Sequence, residues 1–326
     1  ITTPGEGKIR ALFTGAGNPV LSTPAGDALD DALEDLEFMI SLDPWINETT
    51  RHADVILPPT SPLEHDHYDL AFHVNAMRNT ARFSDAVFEK PEGSLHDWEI
   101  FQALGERVAG ALDLDARQAV PPHVIIDQGL KNGPYGDNSD YKLSIEVLRA
   151  TPSGVDLGPL KSQLPERLQT PGQRINLAHS AIFEDLGRLE EQLGEASQGY
   201  RLIGRRHVRA CNSWMHNFTR LVKGPQRCTL QVSPDDAERE GWHTGSRVNI
   251  ASRAGQIVVE LEITDTMMPG VVSLPHGYGH GRQGTLSGVA NAHAGVSCNA
   301  ITESTYIDEL TGNAALNGVG VSITSL

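Results

Sequence analysis

The chain has 326 residues, of which 39% are hydrophobic and 21% are charged, and its formal net charge is −16. This length is enough to bury a full core and predicts two domains. The acidic excess argues against nucleic acid as a partner, and no apolar run is long enough to predict a membrane span or a signal peptide. Cys211, Cys228 and Cys298 form no CxxC pair. They therefore argue against a disulfide framework or a zinc site and favour buried, inert thiols.

The charges are distributed unevenly along the chain. Residues 1–168 contain 27 acidic and 13 basic side chains, whereas residues 169–326 contain 15 and 13. Two stretches contain no Asp or Glu: residues 196–234, the first acid-free window, and residues 266–302, the second acid-free window. An acidic protein that keeps carboxylates out of windows rich in bases or glycines is expected to bind an anion there, since a carboxylate would repel it. The alternative is chance local composition.

The first elements alternate as in an α/β fold. Residues 8–14 are an apolar run that ends in a tight glycine-rich loop, and residues 27–36 have the spacing of an amphipathic helix. The loop lacks the GxGxxG spacing, so a nicotinamide-binding fingerprint is not supported. Residues 38–42 predict the next parallel strand, and Asp43 follows its carboxyl end. A carboxylate there either binds a nucleotide or caps the turn at residues 47–49.

The rest of the first half predicts a helical turn over residues 49–53, a strand over residues 53–57 and then helices. Ser94 and Asp97 form a capping box for a helix that runs to residue 108. Two further helices are expected over residues 121–130 and 140–148. The side chains predicted to face the core from the capped helix are Trp98, Phe101, Leu104 and Val108.

Two stretches of this half carry weaker signals. Residues 64–67 are four consecutive titratable side chains, but neighbours in a strand point to opposite faces, which argues against a metal site. Residues 150–199 are punctuated by proline and glycine and predict an extended crossover, with one clear helix over residues 183–193. The predicted domains are therefore residues 1–150, a linker at 151–199, and residues 200–326.

The last part predicts strands without intervening long helices. A basic strand over residues 201–209 and a polar loop over residues 211–217 come first. Ser233 caps a short helix over residues 235–241. A hairpin, a further strand and a closing strand follow, at residues 248–252, 257–263, 270–275 and 319–323. The predicted fold class is an α/β, Rossmann-like partial domain followed by an all-β, six-stranded barrel of double-psi type.

The order of several short motifs resembles one family. In the first half these are residues 17–19, Asp43, Glu48 with Thr49, residues 53–58, Glu64 and residues 97–100. In the second half they are residues 209–217, 235–237, 245–270, 298–302 and 308–313. This series resembles the third domain and the C-terminal dinucleotide-binding barrel of molybdopterin-guanine-dinucleotide oxidoreductases. The family is the dimethyl sulfoxide reductase superfamily, which includes formate dehydrogenases and nitrate reductases.

The resemblance implies a cofactor and its contacts. The cofactor would be bis-molybdopterin guanine dinucleotide with molybdenum or tungsten. The α/β domain would hold the guanosine end through Gly17, Asn18, Pro19, Asp43 and Asn47. The barrel loops would meet pterin and phosphate groups through Arg209, Asn212, Ser213, His216, Asn217, His276 and Asn299. Arginine forks and backbone donors suit pyrophosphate, and amide edges suit a pterin.

Other features of the family have no counterpart in this sequence. We find no cysteine cluster for an iron-sulfur centre and no residue in the context of a metal ligand. We therefore predict no catalytic or metal-binding residue here and expect this to be a C-terminal portion, inactive alone, of a longer oxidoreductase. Its missing N-terminal half would carry any iron-sulfur cluster. A redox partner subunit or electron carrier, and a cytoplasmic or periplasmic location, are also implied. A non-redox, hydratase-like member and a stand-alone dinucleotide-binding module remain alternatives.

Overall fold

The structure is a computed structural model that describes residues 1–116, 118–194 and 199–326. Two compact units divide the chain by its internal contacts. The first unit combines residues 1–57 with residues 178–326, and the second unit comprises residues 58–177. Each unit has its own cluster of buried apolar side chains. The predicted boundaries at residues 150 and 199 therefore differ from the contact-based division and remain a proposal about domains.

The α/β part of the first unit is a three-stranded parallel sheet. Its strands are Ala11–Gly15, Phe38–Leu42 and Val55–Ile56, with Phe38–Leu42 in the middle. The connecting helices are Pro19–Ser22 and Gly26–Glu34, and the turn Thr50–His52 precedes the last strand. Because parallel strands end at the same edge of a sheet, Gly15 and Leu42 pair and send their following loops to one side. The predicted α/β character is confirmed.

The barrel part of the first unit contains six strands that close on themselves, which confirms the predicted barrel. In barrel order, Arg247–Ala251 pairs with Gln256–Ile263, which is followed by Thr229–Val232, Val271–Pro275, Tyr200–Arg205 and Val319–Ser325. The sequence analysis missed Thr229–Val232. That strand is only four residues long, although two of its side chains, Leu230 and Val232, are fully buried.

The predicted scaffold helix is Pro234–Glu240. Ser233 accepts a hydrogen bond from the Asp236 amide at 3.1 Å, and Gly241 ends the helix in the left-handed conformation. Asp236 is fully buried and its carboxylate also accepts from the Gly270 amide at 2.7 Å. This aspartate thus joins the helix to the turn that precedes strand Val271–Pro275.

The first unit also contains shorter helices around the barrel. Residues 183–193, predicted as one helix, form Ser180–Glu184 and Leu186–Gly194. The loops on the rim carry Thr219–Val222, Gly288–Ala292 and the single turn Cys298–Ile301. These rim helices are four or five residues long. Their side-chain contacts therefore matter more for their position than their intrinsic helix propensity does.

The second unit contains the helices Asp97–Ala111, Pro122–Asn132 and Ile145–Ala150 and the strands His67–Tyr68, Arg78–Ala81, Phe83–Ser84 and Val155–Pro159. Strand Val155–Pro159 lies in the stretch predicted to be an extended crossover. It pairs with Arg78–Ala81, a partner 74 or more residues earlier in the chain. Sequence patterns are local, so such a long-range pairing carried no signal.

Two details of the predicted helix in the second unit were wrong. His96 rather than Ser94 is the N-cap residue, with Glu99 completing the capping box, and Ser94 donates its hydroxyl to the Pro91 carbonyl. The predicted core face is wrong at Phe101 and Val108, which are more than half exposed, whereas Trp98 and Leu104 are half-buried and the unpredicted Ile100 is buried. Within the described residues, no helix is long and apolar enough to cross a membrane.

Candidate functional site

A polar cleft lies in the first unit between the ends of the parallel strands and two barrel loops. Residues from the α/β part form one wall and residues from the loops after strands Tyr200–Arg205 and Val271–Pro275 form the other. Its enclosed volume is about 30 Å³. The residues that line it are Asn18, Asp43, Trp45, Asn47, Glu48, Ser213, Trp214, Asn217, His280, Ser287 and Ala290.

Asp43 places a buried carboxylate in this cleft. It is 3% exposed, and its Oδ1 accepts a hydrogen bond from the Trp45 amide at 2.8 Å. Its Oδ2 has a long contact of 3.4 Å with the Asn47 amide nitrogen. Burial raises the pKa of Asp43, while these two donors oppose the rise. Oδ2 therefore retains acceptor capacity for a ligand with N–H or O–H groups.

Asn47, rather than Asp43, caps the turn that follows. Its side-chain oxygen accepts from the amides of Thr49 and Thr50 at 2.9 and 3.0 Å. The turn is therefore capped by Asn47, and the alternative that Asp43 serves only as its cap does not describe these contacts. Asn47 holds the turn and offers one weakly used amide group, and the carboxylate of Asp43 lies free of the helix N-terminus.

A chain of buried hydrogen bonds runs behind the cleft. Asn18 donates to Glu48 Oε2 at 2.8 Å, and His280 Nδ1 lies 3.1 Å from Glu48 Oε1. His280 Nε2 lies 2.8 Å from His216 Nδ1. All four side chains are at most 9% exposed. We call this set the Asn18–His216 relay.

The charge states along the relay follow from its burial and partners. Burial opposes ionisation of Glu48, but the hydrogen bonds from His280 and Asn18 outweigh it and lower the pKa of this carboxyl. Burial, assisted by His280, lowers the pKa of His216 to about 4. His216 is therefore neutral near pH 7. Its Nε2 is buried and has no hydrogen-bond partner among the described residues.

A second cavity, of about 330 Å³, lies beside the loop that follows strand Tyr200–Arg205. It is lined by Arg206, His207, Ala210, Cys211, Asn212 and His276. Arg206 donates to the Asn212 side-chain oxygen. Burial and then Arg206 lower the pKa of His276 to about 4. Cys298 lies nearby, and burial, its largest cause, raises the pKa of that thiol to about 11, so it stays protonated.

Close backbone approach fixes the two rim loops against each other. Gly277 has a φ of +89°, and a Cβ there would lie 2.3 Å from the carbonyl oxygen of Asn212. Asn217 accepts from the amides of Val289 and Ala290 at 3.0 and 3.3 Å and so holds the start of helix Gly288–Ala292. At position 277 only glycine fits against the Asn212 carbonyl without displacing it. These contacts give the polar cleft a defined shape.

The structure brings some of the sequence-predicted residues together and leaves others apart. Asn18, Asp43, Asn47, Ser213 and Asn217 share the polar cleft. Asn212 and His276 line the second cavity, and His216 ends the relay. Four predicted residues remain. Gly17 and Pro19 flank Asn18, and the side chain of Arg209 is exposed. Asn299 is 1% exposed and donates to the Leu21 carbonyl at 2.8 Å.

Sequence reasoning missed Glu48 and His280 as residues of the site, together with Trp45 and Trp214. Glu48 appeared only as part of a motif, and His280 only as a member of the second acid-free window. That window carried the available signal for His280. Glu48 and His280 are 232 positions apart, and no local pattern predicts that they meet. Across the described parts of the chain, no cluster of three or more His, Cys, Asp or Glu side chains is placed to hold a metal ion.

Comparison with known families agrees with this arrangement. Residues 1–107 match the family described as Molybdopterin oxidoreductase. Residues 200–320 match the family described as Molydopterin dinucleotide binding domain. The two matches fall on the parts of the chain that form the polar cleft, and together they cover both of its walls.

Curated relatives are similar over most of this chain. The F420-dependent formate dehydrogenase subunit alpha of Methanocaldococcus jannaschii is 24% identical over 288 residues, 86% of this chain and 40% of the relative. The probable oxidoreductase YoaE of Bacillus subtilis is 24% identical over 81% of this chain and 38% of its own length. A putative formate dehydrogenase of Staphylococcus aureus is 24% identical over 83% of this chain and 26% of its own length. The chain thus spans two-fifths or less of these relatives.

A solved structure shares the fold. Acetylene hydratase from Pelobacter acetylenicus superposes with a TM-score of 0.65 and 16% identity, over 97% of this chain and 44% of the hydratase. At that identity the likeness concerns the fold alone. The ordered motifs and the two family matches lead to one conclusion: the chain is a cofactor-binding portion of a molybdopterin-guanine-dinucleotide oxidoreductase of the dimethyl sulfoxide reductase superfamily.

Proposed function

We propose that the polar cleft holds the guanosine end of one molybdopterin guanine dinucleotide and that the protein is a formate dehydrogenase-like oxidoreductase. The observation that carries the proposal is the buried carboxylate of Asp43 at the carboxyl end of a parallel strand, with Oδ2 only weakly paired. A guanine base presents adjacent N–H donors, and a ribose presents hydroxyl donors. Either suits an acceptor held in a low-dielectric cleft.

The polar groups of the cleft suit a nucleotide, but the cleft is too small to hold one in this conformation. Amide, hydroxyl and carboxylate groups are available for hydrogen bonds, and Trp45 and Trp214 offer aromatic faces for a base. The enclosed 30 Å³, however, is about the share of one water molecule in the liquid. Trp214 is 51% exposed, so rotation of its side chain offers a way to open the cleft. We therefore expect the Trp214 ring to move when a nucleotide binds.

The pterin and phosphate contacts remain a proposal carried by the barrel loops. Asn212, Ser213 and His276 lie on the inner sides of the cavities, and the guanidinium of exposed Arg209 is available to a phosphate. Asn217 and Asn299 have structural partners in the rim and in the α/β part. We assign these two asparagines to positioning the loops, with their remaining amide capacity directed at the cofactor.

When bound, the cofactor supplies a molybdenum or tungsten centre that changes oxidation state as substrate reacts. The residues of this chain bind and orient its organic part. Asp43 accepts hydrogen bonds from the guanosine end, and burial, assisted by His280, keeps His216 uncharged. The rim loops pack closely against each other because Gly277 has no side chain. These roles of binding and orientation do not require the residues of this polypeptide to transfer a proton.

We further propose that the activity belongs to a longer protein and that these 326 residues alone do not turn over substrate. Two of the named relatives suggest formate as the substrate, and the term subunit alpha in the name of the Methanocaldococcus jannaschii relative suggests a partner subunit and an electron carrier. An iron-sulfur cluster would reside outside this chain. A cytoplasmic location is proposed, with the periplasm as the alternative.

The test is guanine nucleotide and metal content after purification. We expect the protein to release guanosine monophosphate on acid hydrolysis and to contain molybdenum or tungsten. Asp43→Asn should lower the guanine content about tenfold, because loss of a charge-assisted hydrogen bond costs about 1.5–3 kcal/mol. Asp31→Asn changes the same atoms on the exposed side of helix Gly26–Glu34 and should have no effect. Unchanged guanine content in Asp43→Asn would contradict the assignment.

The fold neighbour supports a second candidate, a hydratase that adds water without net redox change. In the longer parent protein, formate-dependent reduction of a viologen dye distinguishes the oxidoreductase from a hydratase, which would hydrate acetylene without reducing the dye. Formate-dependent dye reduction supports the oxidoreductase proposal. Acetaldehyde formation from acetylene, with no formate-dependent electrons, would replace it by the hydratase.

A further inference from the structure

The second unit, residues 58–177, leaves many more apolar side chains uncovered, relative to its core, than the first unit does. Six of its described apolar side chains are buried, whereas nineteen large ones are exposed. In the first unit the corresponding numbers are twenty-six and nineteen. Single exposed apolar residues are common, but an excess of this size marks a surface that another segment or protein covers.

The most exposed part of this surface is residues 70–77, which we call the apolar ridge. Leu70, Phe72, Val74 and Met77 are each between 72 and 92% exposed. None of the eight residues is Asp, Glu, Lys or Arg, although the protein as a whole has a net charge of −16. A solvated turn of such an acidic protein is expected to carry charge. Exposure and composition therefore both indicate that the ridge is a contact surface.

Polar contacts hold the backbone of the ridge in place. The amide of Phe72 donates to Asp69 Oδ1 at 3.0 Å. Nε2 of His73 lies 3.0 Å from the Thr80 hydroxyl oxygen, which ties the ridge to strand Arg78–Ala81. The ridge is thus ordered while its apolar side chains are exposed. A surface that is already ordered loses little conformational entropy when a partner covers it.

The helix Asp97–Ala111 in the same unit shows the same kind of uncovered surface. Its amphipathic spacing predicts that Val108 faces a core, yet Val108 and, one turn later, Leu112 are more than half exposed. Ile100 of this helix is buried, so the helix uses part of its apolar stripe for packing within the unit. A packing partner outside these 326 residues would reconcile the predicted core face with the observed exposure.

Two observations favour a segment of the same longer protein as that partner. The chain spans two-fifths or less of the named relatives, so each of them has more residues outside the matched region than inside it. The ridge also lies within residues 1–107, the part that matches the family described as Molybdopterin oxidoreductase. A strongly apolar contact surface is typical of permanent association, as in a domain core, rather than of partners that also exist apart.

The charges near the ridge argue against a lipid surface as the cover. Glu64, Asp66 and Asp69 precede the ridge. Arg78 directly follows it and pairs with Asp156 at 2.7 Å. Anionic lipid attracts clusters of basic side chains and repels carboxylates.

We propose that the apolar ridge is a docking surface for a segment of the longer parent protein that lies outside these 326 residues, and that this segment completes the core of the second unit. The inference rests on the proposal that the activity belongs to a longer protein, but it uses none of the residues assigned to the cofactor.

Methionine oxidation of the longer parent protein tests the docking. Met77 is 92% exposed here, and Met268, a matched methionine of the first unit, is 66% exposed. In the native parent, dilute hydrogen peroxide should oxidise Met77 about tenfold or more slowly than in the urea-unfolded parent, because the docked segment covers it. Met268 should react within about twofold of its unfolded rate. In the 326-residue chain alone both should react fast, and mass spectrometry of the peptides measures each rate.

Several results would overturn the proposal. One is equal oxidation rates of Met77 and Met268 in the native parent, and another is equal protection of both, which would indicate general occlusion. Protection of Met77 that requires a second copy of the 326-residue chain, or vesicles of anionic lipid, would assign the ridge to that partner instead. The readout needs no bound cofactor. A protected Met77 in a parent without guanine nucleotide would therefore contradict the guanosine assignment and leave the docking surface standing.

A pair of variants in the parent tests whether the ridge itself makes the contact. Phe72→Asp places a charge in the docked surface and should raise the oxidation rate of Met77 about tenfold, towards that of the 326-residue chain. Phe72→Leu keeps an apolar side chain and should leave Met77 protected. Met268 serves as the internal reference in both. Full protection of Met77 in Phe72→Asp would show that the ridge does not form the contact.

Discussion

The barrel wall and the loop layer of the first unit are stabilised in different ways. The barrel wall consists of the six strands, and its interior is apolar, with Leu230, Ile250 and Leu274 fully buried. The loop layer comprises residues 43–49, 206–217 and 276–295, and its most buried side chains include Glu48 and His216. Apolar burial is non-directional, whereas each buried polar atom needs a partner in one geometry. The barrel wall therefore contributes most to the stability of the fold, and the loop layer determines which ligand geometry is accepted.

The largest effect should come from opening a hole in the barrel wall. Leu230→Ala removes a fully buried side chain and should lower the free energy of unfolding by about 2–5 kcal/mol. Leu286→Ala makes the same change in the loop layer at a side chain that is 72% exposed, and should change it by less than about 0.5 kcal/mol. Urea denaturation measures both. Equal losses would contradict the division between wall and layer.

Acid should act on the loop layer first. The pKa of His216 and of His276 is lowered from 6.5 to about 4 in the folded protein. The unfolded chain therefore takes up protons first as pH falls below 6.5, so the free energy of unfolding decreases from pH 6.5 to about 4 and levels off below that. Each histidine should account for about 3 kcal/mol of the decrease in the free energy of unfolding between pH 6.5 and about 4, at about 1.4 kcal/mol per pKa unit.

Denaturation midpoints measured at pH 7, 6, 5 and 4.5 test this effect. His276→Phe removes one of the two titrating groups and should flatten the pH dependence by roughly half. His243→Phe, at an exposed position outside the loop layer, is the matched control and should leave the slope as it is. A slope that His276→Phe does not change would show that other groups dominate the acid response.

A smaller effect is expected from Gly277→Ala, which separates backbone strain from a clash in the loop layer. Its Cβ would lie 2.3 Å from the Asn212 carbonyl oxygen at a φ of +89°. Gly245→Ala has a similar φ, +86°, but its Cβ would meet no atom within 4 Å. Both variants carry the strain, about 1 kcal/mol or more. Gly277→Ala should in addition displace the Asn212 loop and lower cofactor retention, and equal retention in both variants would refute the close-packing argument.

The smallest effect should come from the helix cap beside the barrel wall. Ser233→Ala removes the acceptor of the Asp236 amide and the hydroxyl that donates to the Asp236 carboxylate at 2.8 Å. We expect a loss of about 1 kcal/mol in the free energy of unfolding and no change in cofactor content. Ser304→Ala, on the exposed surface, should be neutral. A change in cofactor content would mean that the helix contributes to the loop layer directly.

The sequence alone predicted the elements whose signals are local. Residues 38–42 form the predicted strand, Ser233 caps the predicted helix, and the hairpin strands lie within two residues of their expected bounds. Period-two alternation, capping residues and turn glycines act over a few positions, so they are visible in a single sequence. The family resemblance added the polar loops, whose composition has no period.

Two elements show where local signals ended. Strand Val155–Pro159 pairs with residues near position 80, and Thr229–Val232 pairs in the barrel with Gln256–Ile263 and Val271–Pro275, whose paired residues lie 31 or more positions later in the chain. The sequence predicts an extended linker at the first and no strand at the second. Short strands gain their stability from partners that lie far away in the chain, so their own composition indicates little.

The sequence by itself thus determined the α/β and barrel elements, the family and the presence of two acid-free windows. Only the tertiary structure decided that these windows face each other across one cavity and that Glu48 and His280 meet from positions 232 residues apart. The physical reason is that apolar periodicity acts on each element separately. A buried contact between a carboxylate and an imidazole, or an unpaired imidazole nitrogen, exists only once separate elements have excluded water from the space between them.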